Sequence, residues 1–281
     1  MSVALHLEEG AQRSPKYGDE IMEPENEAAY VVPRGASDLV AESFYEYGEH
    51  AGVRRLLSLL AAHGAPVTVI AAGRALQHNV GVAGFLRDSD CEIVGQGMRY
   101  LSPEGISVDD LRTDVRATAA VAASQTGKEI RGWYCRPPVP AHIHEVVAEC
   151  GMLYDSCSVA DDVPYYVPTR HGPLLVIPCS PEGDDIGYWR NRYFTSGDFA
   201  DPIIHALTTL RSEASRGGAR MFTLQLRPRI SGRPGRLEGV RRVLEFLGTD
   251  PGFWLARRID IAEHWLRSSP GLATADAGGS S

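Results

Sequence analysis

The chain of 281 residues contains no apolar run of 18 residues, so a membrane-spanning helix is not expected. Its opening, MSVALHLEEG, lacks the positive stretch and sustained apolar core of a signal peptide. Cysteine is scarce and odd in number, and Cys91, Cys135, Cys150, Cys157 and Cys179 form no CxxC pair. Reduced thiols and a cytoplasmic location are the expectation. Positive charge is not in excess: 28 Lys and Arg stand against 36 Asp and Glu, for a net charge of -8. The arginines are scattered among acids, so nucleic acid is not an expected partner. No GxGxxG follows the first strand-like run, and no internal repeat is evident. The one low-complexity segment is the tail at 268–281, SSPGLATADAGGSS, which is expected to be disordered.

What remains is ordinary for a globular protein, with 43% apolar and 23% charged residues. Residues 1–267 are read as one domain. Strand-like runs occur at Val3–Glu8, Pro66–Ala72, Cys91–Gln96, Gly132–Arg136, Leu174–Pro178, Met221–Leu226 and Phe253–Arg257. Between them lie amphipathic stretches at Ser37–His63, Ala75–Arg87, Ser107–Thr126, Pro140–Cys150, Phe199–Ser215 and Arg236–Leu247, with a short one at Ile261–Leu266. Strand followed by helix, repeated about seven times, predicts an α/β fold with a parallel sheet closed into a barrel. Two irregular stretches, 10–35 and 154–172, are expected to build the rim of the site.

Side chains alternate between the helix layer and the barrel interior along such strands. Val3, Leu5 and Leu7 form the apolar set of the first strand, which turns His6 and Glu8 inward. Phe222, Leu224 and Leu226 likewise leave Thr223 and Gln225 inward, and Glu92, Val94 and Gln96 share a face. Glu8, Gln96 and Gln225 therefore converge at the C-terminal ends of three strands, where barrel enzymes place their chemistry. Arg136, in WYCRPP, ends a fourth strand. A lone interior glutamine is more often a satisfied core residue, and His6 is as well explained by a buried hydrogen bond as by catalysis. His142 and His144, two apart on a helix, are read as surface residues rather than a metal pair. Asp161-Asp162 and Asp184-Asp185 are read equally well as turns or as contacts of the site.

The stretches LHLEEG, YGDEIMEPE, APVTVIAAGRAL, EIVGQG, GWYCRPP, LYDSCSVADDVPYYV, FTSGDF, SGRPGR and RRIDIAEHW together resemble the polysaccharide deacetylase superfamily, in its allantoinase-like and cyclic-imide-hydrolysing branch. The resemblance spans the chain from the first strand to the last helix and implies a distorted (β/α)7 barrel. It implies that Glu8-Glu9 replaces the acidic pair of metal-dependent members. Gln96 and Tyr100 stand where those members carry two metal-ligating histidines, and Gln225 stands for their acid histidine. Arg136 keeps the arginine that orients the catalytic carboxylate, and Asp155 keeps an acid of the following motif. The expected catalytic set is Glu8, Glu9, Arg136 and Gln225. The expected substrate contacts are His6, Gln96, Tyr100, Trp133 and Asp155.

Zinc takes about four ligands from His, Cys and carboxylate, a set these residues do not supply, so no metal or other cofactor is expected. Glu8 is expected to act as general base on water, its pKa raised by burial, with Gln96 and Gln225 donating to the oxyanion. The reaction implied is hydrolysis of a non-peptide C–N bond in a small cyclic ureide or imide. Three alternatives stand beside it: an inactive barrel that binds a small molecule or protein, a metal-dependent N-deacetylase of an N-acetylated sugar, and a hard-cation site built on Glu8, Glu9 and Asp155. The sequence leaves homo-oligomerisation open.

Overall fold

The computed structural model describes residues 1–22, 31–189 and 195–268. Eight strands form one sheet: β1 (Ser2–Leu7), β2 (Val67–Ala71), β3 (Glu92–Gly95), β4 (Gly132–Trp133), β5 (Tyr154–Asp155), β6 (Tyr165–Val167), β7 (Leu174–Val176) and β8 (Thr223–Leu226). Their order is β6-β7-β5-β4-β3-β2-β1-β8. All pairs are parallel except β6 on β7, an antiparallel edge. Beyond β7 the chain returns to β8, where Asp184 forms an isolated parallel bridge with Gln225. A single bridge, not a ladder, therefore joins the two sides of a curled half-barrel.

Seven of these strands run parallel, the number expected, but their identities differ in one place. Phe253–Arg257 is not a strand; it is an extended segment pinned to the start of the chain, with Ala256 N–H donating to Met1 O at 3.0 Å. The seventh parallel strand is β5, which lies with β6 inside the stretch expected to be irregular. Two-residue strands carry too few positions for alternation to show.

The helices of the outer layer are α1 (Leu39–Tyr47), α2 (Val53–Ala62), α3 (Gly73–His78), α4 (Val80–Asp88), α5 (Val108–Thr126), α6 (Ile143–Glu149), α7 (Asp185–Trp189), α8 (Ser196–Arg216), α9 (Pro228–Ser231), α10 (Pro234–Leu247) and α11 (Arg258–Ser268). Ser107 caps α5 by accepting from Asp110 N–H, and Gly127 ends it with a φ of 69°, as its sequence implies. The stretch expected as one helix at 75–87 is two, because Asn79 leaves helical geometry and donates its amide to the carbonyls of Ala75 and Glu9. Residues 269–281 of the expected tail lie outside the described residues.

Strand alternation separates two cores. Val3, Leu5, Leu7, Val69, Ile93, Leu224 and Leu226 pack outward against the helices. Ala4, Ile70, Val94, Tyr134 and Tyr154 face inward with Ile261 and Ala262 of α11. The N-terminal end of the barrel is stoppered by α11, whose Arg258 is fully buried.

A π-helical turn at Gly48–Gly52 joins α1 to α2 without interrupting the helical path. Such turns often sit beside functional sites. Here they bring two backbones into contact: a Cβ on Gly52 would lie 2.1 Å from Pro228 O, in α9. Gly52→Ala is expected to push α9 away and lower stability by about 1–3 kcal/mol, measurable as a lower melting temperature. Unchanged melting would mean that this contact relaxes freely.

Candidate active site

Glu8 follows β1 and projects to the same interior face as His6, as alternation requires. Both are fully buried. The His6 ring lies with Nε2 3.2 Å from Gln225 Oε1 and Nδ1 3.6 Å from Glu8 Oε1. Its edge meets the ring of Tyr134 at a centroid distance of 5.1 Å. The neutral ring carries one proton, so it donates at one of these contacts and presents a lone pair at the other. Burial, reinforced by the charge of Arg227, lowers the His6 pKa to about 4, so the ring is neutral at physiological pH.

The groups that meet the Glu8 carboxylate come from the far end of the chain. Arg229 Nη1 donates to Glu8 Oε2 at 2.5 Å. Arg227 Nε lies 3.4 Å from Glu8 Oε1, and Arg227 Nη1 donates to Asp184 Oδ1 at 2.7 Å and Asp185 Oδ1 at 2.9 Å. Asp185 also accepts from the Arg227 N–H and the Ser231 hydroxyl through Oδ2, which locks the turn from β8 into α9. Both arginines are buried, and Arg229 lies over the ring of Tyr45 at 4.6 Å. Burial by itself raises the Glu8 pKa, but Arg229 and then Arg227 outweigh it and hold the carboxyl at about 2. The expected upward shift of Glu8 is thus reversed. The cause is two guanidiniums that the sequence reading did not select. The alternation that picks out Thr223 and Gln225 extends to Arg227, and that signal was available.

The upward shift falls on the neighbouring acid. Glu9 points the other way, against Gly48, where a Cβ would overlap its Oε1. Its Oε2 accepts from the Glu8 N–H at 3.1 Å, and Oε1 has no hydrogen-bond partner among the described residues. Burial, only partly countered by Arg229, raises its pKa to about 7. Its contact with the Glu8 backbone makes it a residue that positions Glu8.

Gln96 does not present donors to the site. Its Nε2 donates to Leu7 O at 3.3 Å and Ile70 O at 3.2 Å, which ties β3 to β1 and β2 and leaves Oε1 unpartnered. An oxyanion contact from this amide would break two buried bonds. Tyr100 is close by: its ring lies under Arg136 at 4.4 Å and 5.9 Å from the Arg229 guanidinium. Arg136 also donates to Tyr100 O at 3.1 Å. Arg136 thus braces Tyr100, while Arg227 and Arg229 hold Glu8 in the manner expected of Arg136.

Two expected substrate contacts face the helix layer instead. Trp133 packs outward among Leu111, Val115, Ile143 and Val147, with its ring against Gly95 and Nε1 donating to Cys135 Sγ at 3.2 Å. Asp155, paired in register with Trp133, shares that side. Its Oδ2 is 2.7 Å from His144 Nδ1, and Oδ1 accepts from Cys157 N–H. Asp155 raises the His144 pKa through this pair, so His144 is not a bare surface residue. Short strands and their bulky partners hid both orientations.

The donor set does not suit a divalent metal. Glu8 is the inward carboxylate, and a cation bound there would face the guanidiniums of Arg227 and Arg229. Among the described residues no three His, Cys, Asp or Glu side chains are grouped to hold an ion. What the arrangement can do is bind a small polar group. It offers two buried cations for a developing oxyanion, an ionised carboxylate, and a neutral imidazole with an amide beside it.

No protein-family model matches the chain. A Schizosaccharomyces pombe protein provisionally described as a polysaccharide deacetylase is 30% identical over 290 residues, covering 96% of this chain and 91% of its own. A Pseudomonas aeruginosa structure with the same provisional description is 31% identical with a TM-score of 0.89, over 96% of this chain and 91% of that one. The structure of PuuE allantoinase is 30% identical with a TM-score of 0.90, over 96% of this chain and 90% of that one. These relatives carry the names of polysaccharide deacetylases, two of them provisionally, and of an allantoinase. With a match of this length to both sequence and fold, the chain belongs to the polysaccharide deacetylase superfamily.

Proposed function

We propose that the chain hydrolyses a non-peptide C–N bond in a small cyclic ureide or imide, without a metal, in a cytoplasmic setting. The observation that carries this reading is the ionised Glu8 carboxylate held between Arg227 and Arg229 at the joined ends of β1 and β8. The likeness to an allantoinase over nearly the whole chain supports the substrate class.

Water attacks the ring carbonyl, and negative charge builds on its oxygen. Arg229 and Arg227 supply the positive field for that oxygen, the work expected of the amides of Gln96 and Gln225. As the guanidiniums turn toward the oxyanion they release Glu8, whose proton affinity then rises from its resting value. Glu8 Oε1 takes the proton of the attacking water. His6 holds Glu8 from the interior side, and Glu9 holds it through its backbone. The tetrahedral adduct then collapses with cleavage of the ring C–N bond; the leaving nitrogen of a ureide or imide is stabilised by an adjacent carbonyl, so it departs without Lewis-acid help and takes the proton held by Glu8, which returns to its ionised form. An ordinary N-acetyl amide lacks that stabilisation.

The second reading is a barrel that binds such a molecule without turning it over. Two observations favour it: the resting Glu8 pKa of about 2, which makes a weak base, and the commitment of Gln96 to backbone carbonyls. Hydrolysis assays on allantoin, hydantoins, succinimides and N-acetylglucosamine oligomers, with and without EDTA, separate the two. Turnover of a cyclic substrate that EDTA leaves unchanged is the expected result. Tight binding with no turnover would establish the second reading, and turnover of the sugar oligomers that EDTA abolishes would overturn both.

A further inference from the structure

The Gln96 carboxamide holds a buried oxygen that no neighbour satisfies. Gln96 follows β3 on the interior face of Val94 and is 3% exposed. Its Nε2 donates to Leu7 O at 3.3 Å and Ile70 O at 3.2 Å. Both partners are acceptors, so only the NH2 end of the amide can face them and the group cannot turn round. Oε1 is thereby directed away from β1 and β2, and it has no hydrogen-bond partner among the described residues.

The partners of the amide fix its place in the site. Leu7 O belongs to the peptide that carries the Glu8 N–H, so the amide sits against the backbone that presents Glu8. On the other side Gly95 pairs with Trp133, and Tyr134 N–H donates to Gly95 O at 2.8 Å. Tyr134 is therefore the residue beside Gln96 on β4, and its ring meets the edge of His6. The unpartnered oxygen lies among the groups that surround Glu8.

A buried acceptor without a donor is costly, and native proteins rarely leave one. The cationic donors of the site are engaged elsewhere, Arg227 with Asp184 and Asp185 and Arg229 with Glu8. A ring amide brings a donor of its own. In a cyclic imide or ureide the nitrogen next to the attacked carbonyl carries a hydrogen unless it is alkylated.

We propose that Gln96 is a specificity-determining residue of this site: its Oε1 accepts the ring N–H of the substrate, so the protein takes cyclic imides and ureides with a free N–H and rejects their N-alkyl forms. This rests on the reading of the site as one for such rings, and it holds whether the ring is turned over or only bound. The amide orients the ring nitrogen while the arginines face the carbonyl oxygen. An N-methyl ring leaves the buried oxygen unpaired, the arrangement by which a polar site rejects an analogue strongly.

Paired rings test this: succinimide against N-methylsuccinimide, and hydantoin against 1-methylhydantoin and 3-methylhydantoin. Each pair is read as kcat/KM, and as dissociation constants from calorimetry. The wild type is expected to favour succinimide over its N-methyl form, and hydantoin over one of its two methyl isomers, by about hundredfold. Gln96→Met keeps the length of the side chain and removes its oxygen. In that variant, shown by circular dichroism to be folded, the preference is expected to collapse toward unity. A general loss of stability would weaken both members of a pair alike and leave their ratio unchanged. The wild-type comparison stands even if Gln96→Met does not fold. Equal handling of N–H and N–CH3 rings would overturn the inference alone and give Oε1 to water. So would an unchanged preference in folded Gln96→Met, which would assign rejection of the methyl to bulk elsewhere. Neither turnover nor binding of any ring would overturn the reading of the site and the inference together.

Discussion

Glu8→Gln is expected to lower kcat/KM for the cyclic substrate by about three orders of magnitude, the scale of losing a positioned base. The substitution keeps the shape of the side chain and removes the charge that Arg229 and Arg227 share. Arg227 still has Asp184 and Asp185, but Arg229 loses a buried carboxylate at 2.5 Å. Breaking a buried pair costs about 3–5 kcal/mol, so activity must be read on protein shown to be folded. A folded Glu8→Gln protein that keeps a tenth or more of its activity would remove Glu8 from the base role. Affinity for substrate that is retained or improved is expected in either case, because the Glu8 carboxylate then no longer competes with the ligand for the two guanidiniums.

The two adjacent acids also carry opposite pH signatures. The Glu8 pKa falls from 4.5 to about 2 on folding, so its contribution to stability is complete above 4.5 and is lost as pH falls toward 2. The Glu9 pKa rises from 4.5 to about 7. It favours the folded state below 4.5, and that advantage is lost as pH rises toward 7. Glu9→Gln is therefore expected to flatten the decline in stability between those values, as measured by urea unfolding at a series of pH values.

The second large effect is on stability. Arg258 enters the floor of the barrel and donates to the Ser156 hydroxyl, the Thr223 hydroxyl, Ile177 O and Pro178 O. Its own N–H donates to Thr68 Oγ1 at 2.9 Å, and the next N–H donates to Glu92 Oε2. No carboxylate lies within ion-pair distance of the guanidinium among the described residues, so carbonyl and hydroxyl dipoles solvate its charge. Arg258→Met removes every side-chain donor at once and takes the guanidinium from two buried carbonyls, Ile177 O and Pro178 O. The expected cost is about 3–5 kcal/mol, seen as a melting temperature lower by roughly 10 °C. A shift of a degree or less would mean that water takes over these contacts.

How much of this was legible from residue order differs by element. The alternation Val3, Leu5, Leu7 against Ala4, His6, Glu8 is written in β1 itself, because a strand buried on both faces still separates its side chains by parity. The same holds for β8, so the convergence of His6, Glu8 and Gln225 follows from period two and parallel pairing alone. The caps of α5 are equally local. At β4 and β5 the argument fails: two residues give no period, and Trp133 and Asp155 turn outward although the chemistry of their side chains suggests a site. The break at Asn79 depends on the Glu9 carbonyl, which is distant in sequence.

The sequence by itself determined the class of fold, the interior face of the long strands and the family resemblance, since each rests on patterns repeated within a few residues. Tertiary structure alone decided the electrostatics. Arg229 and Glu8 are 221 residues apart, and parity tells which face a side chain takes but not which neighbour it meets. The ionisation of Glu8, the displacement of the high pKa onto Glu9 and the bracing of Tyr100 by Arg136 all depend on distances of a few ångströms in a medium without water. Coulomb energies there change sign with the identity of the nearest group.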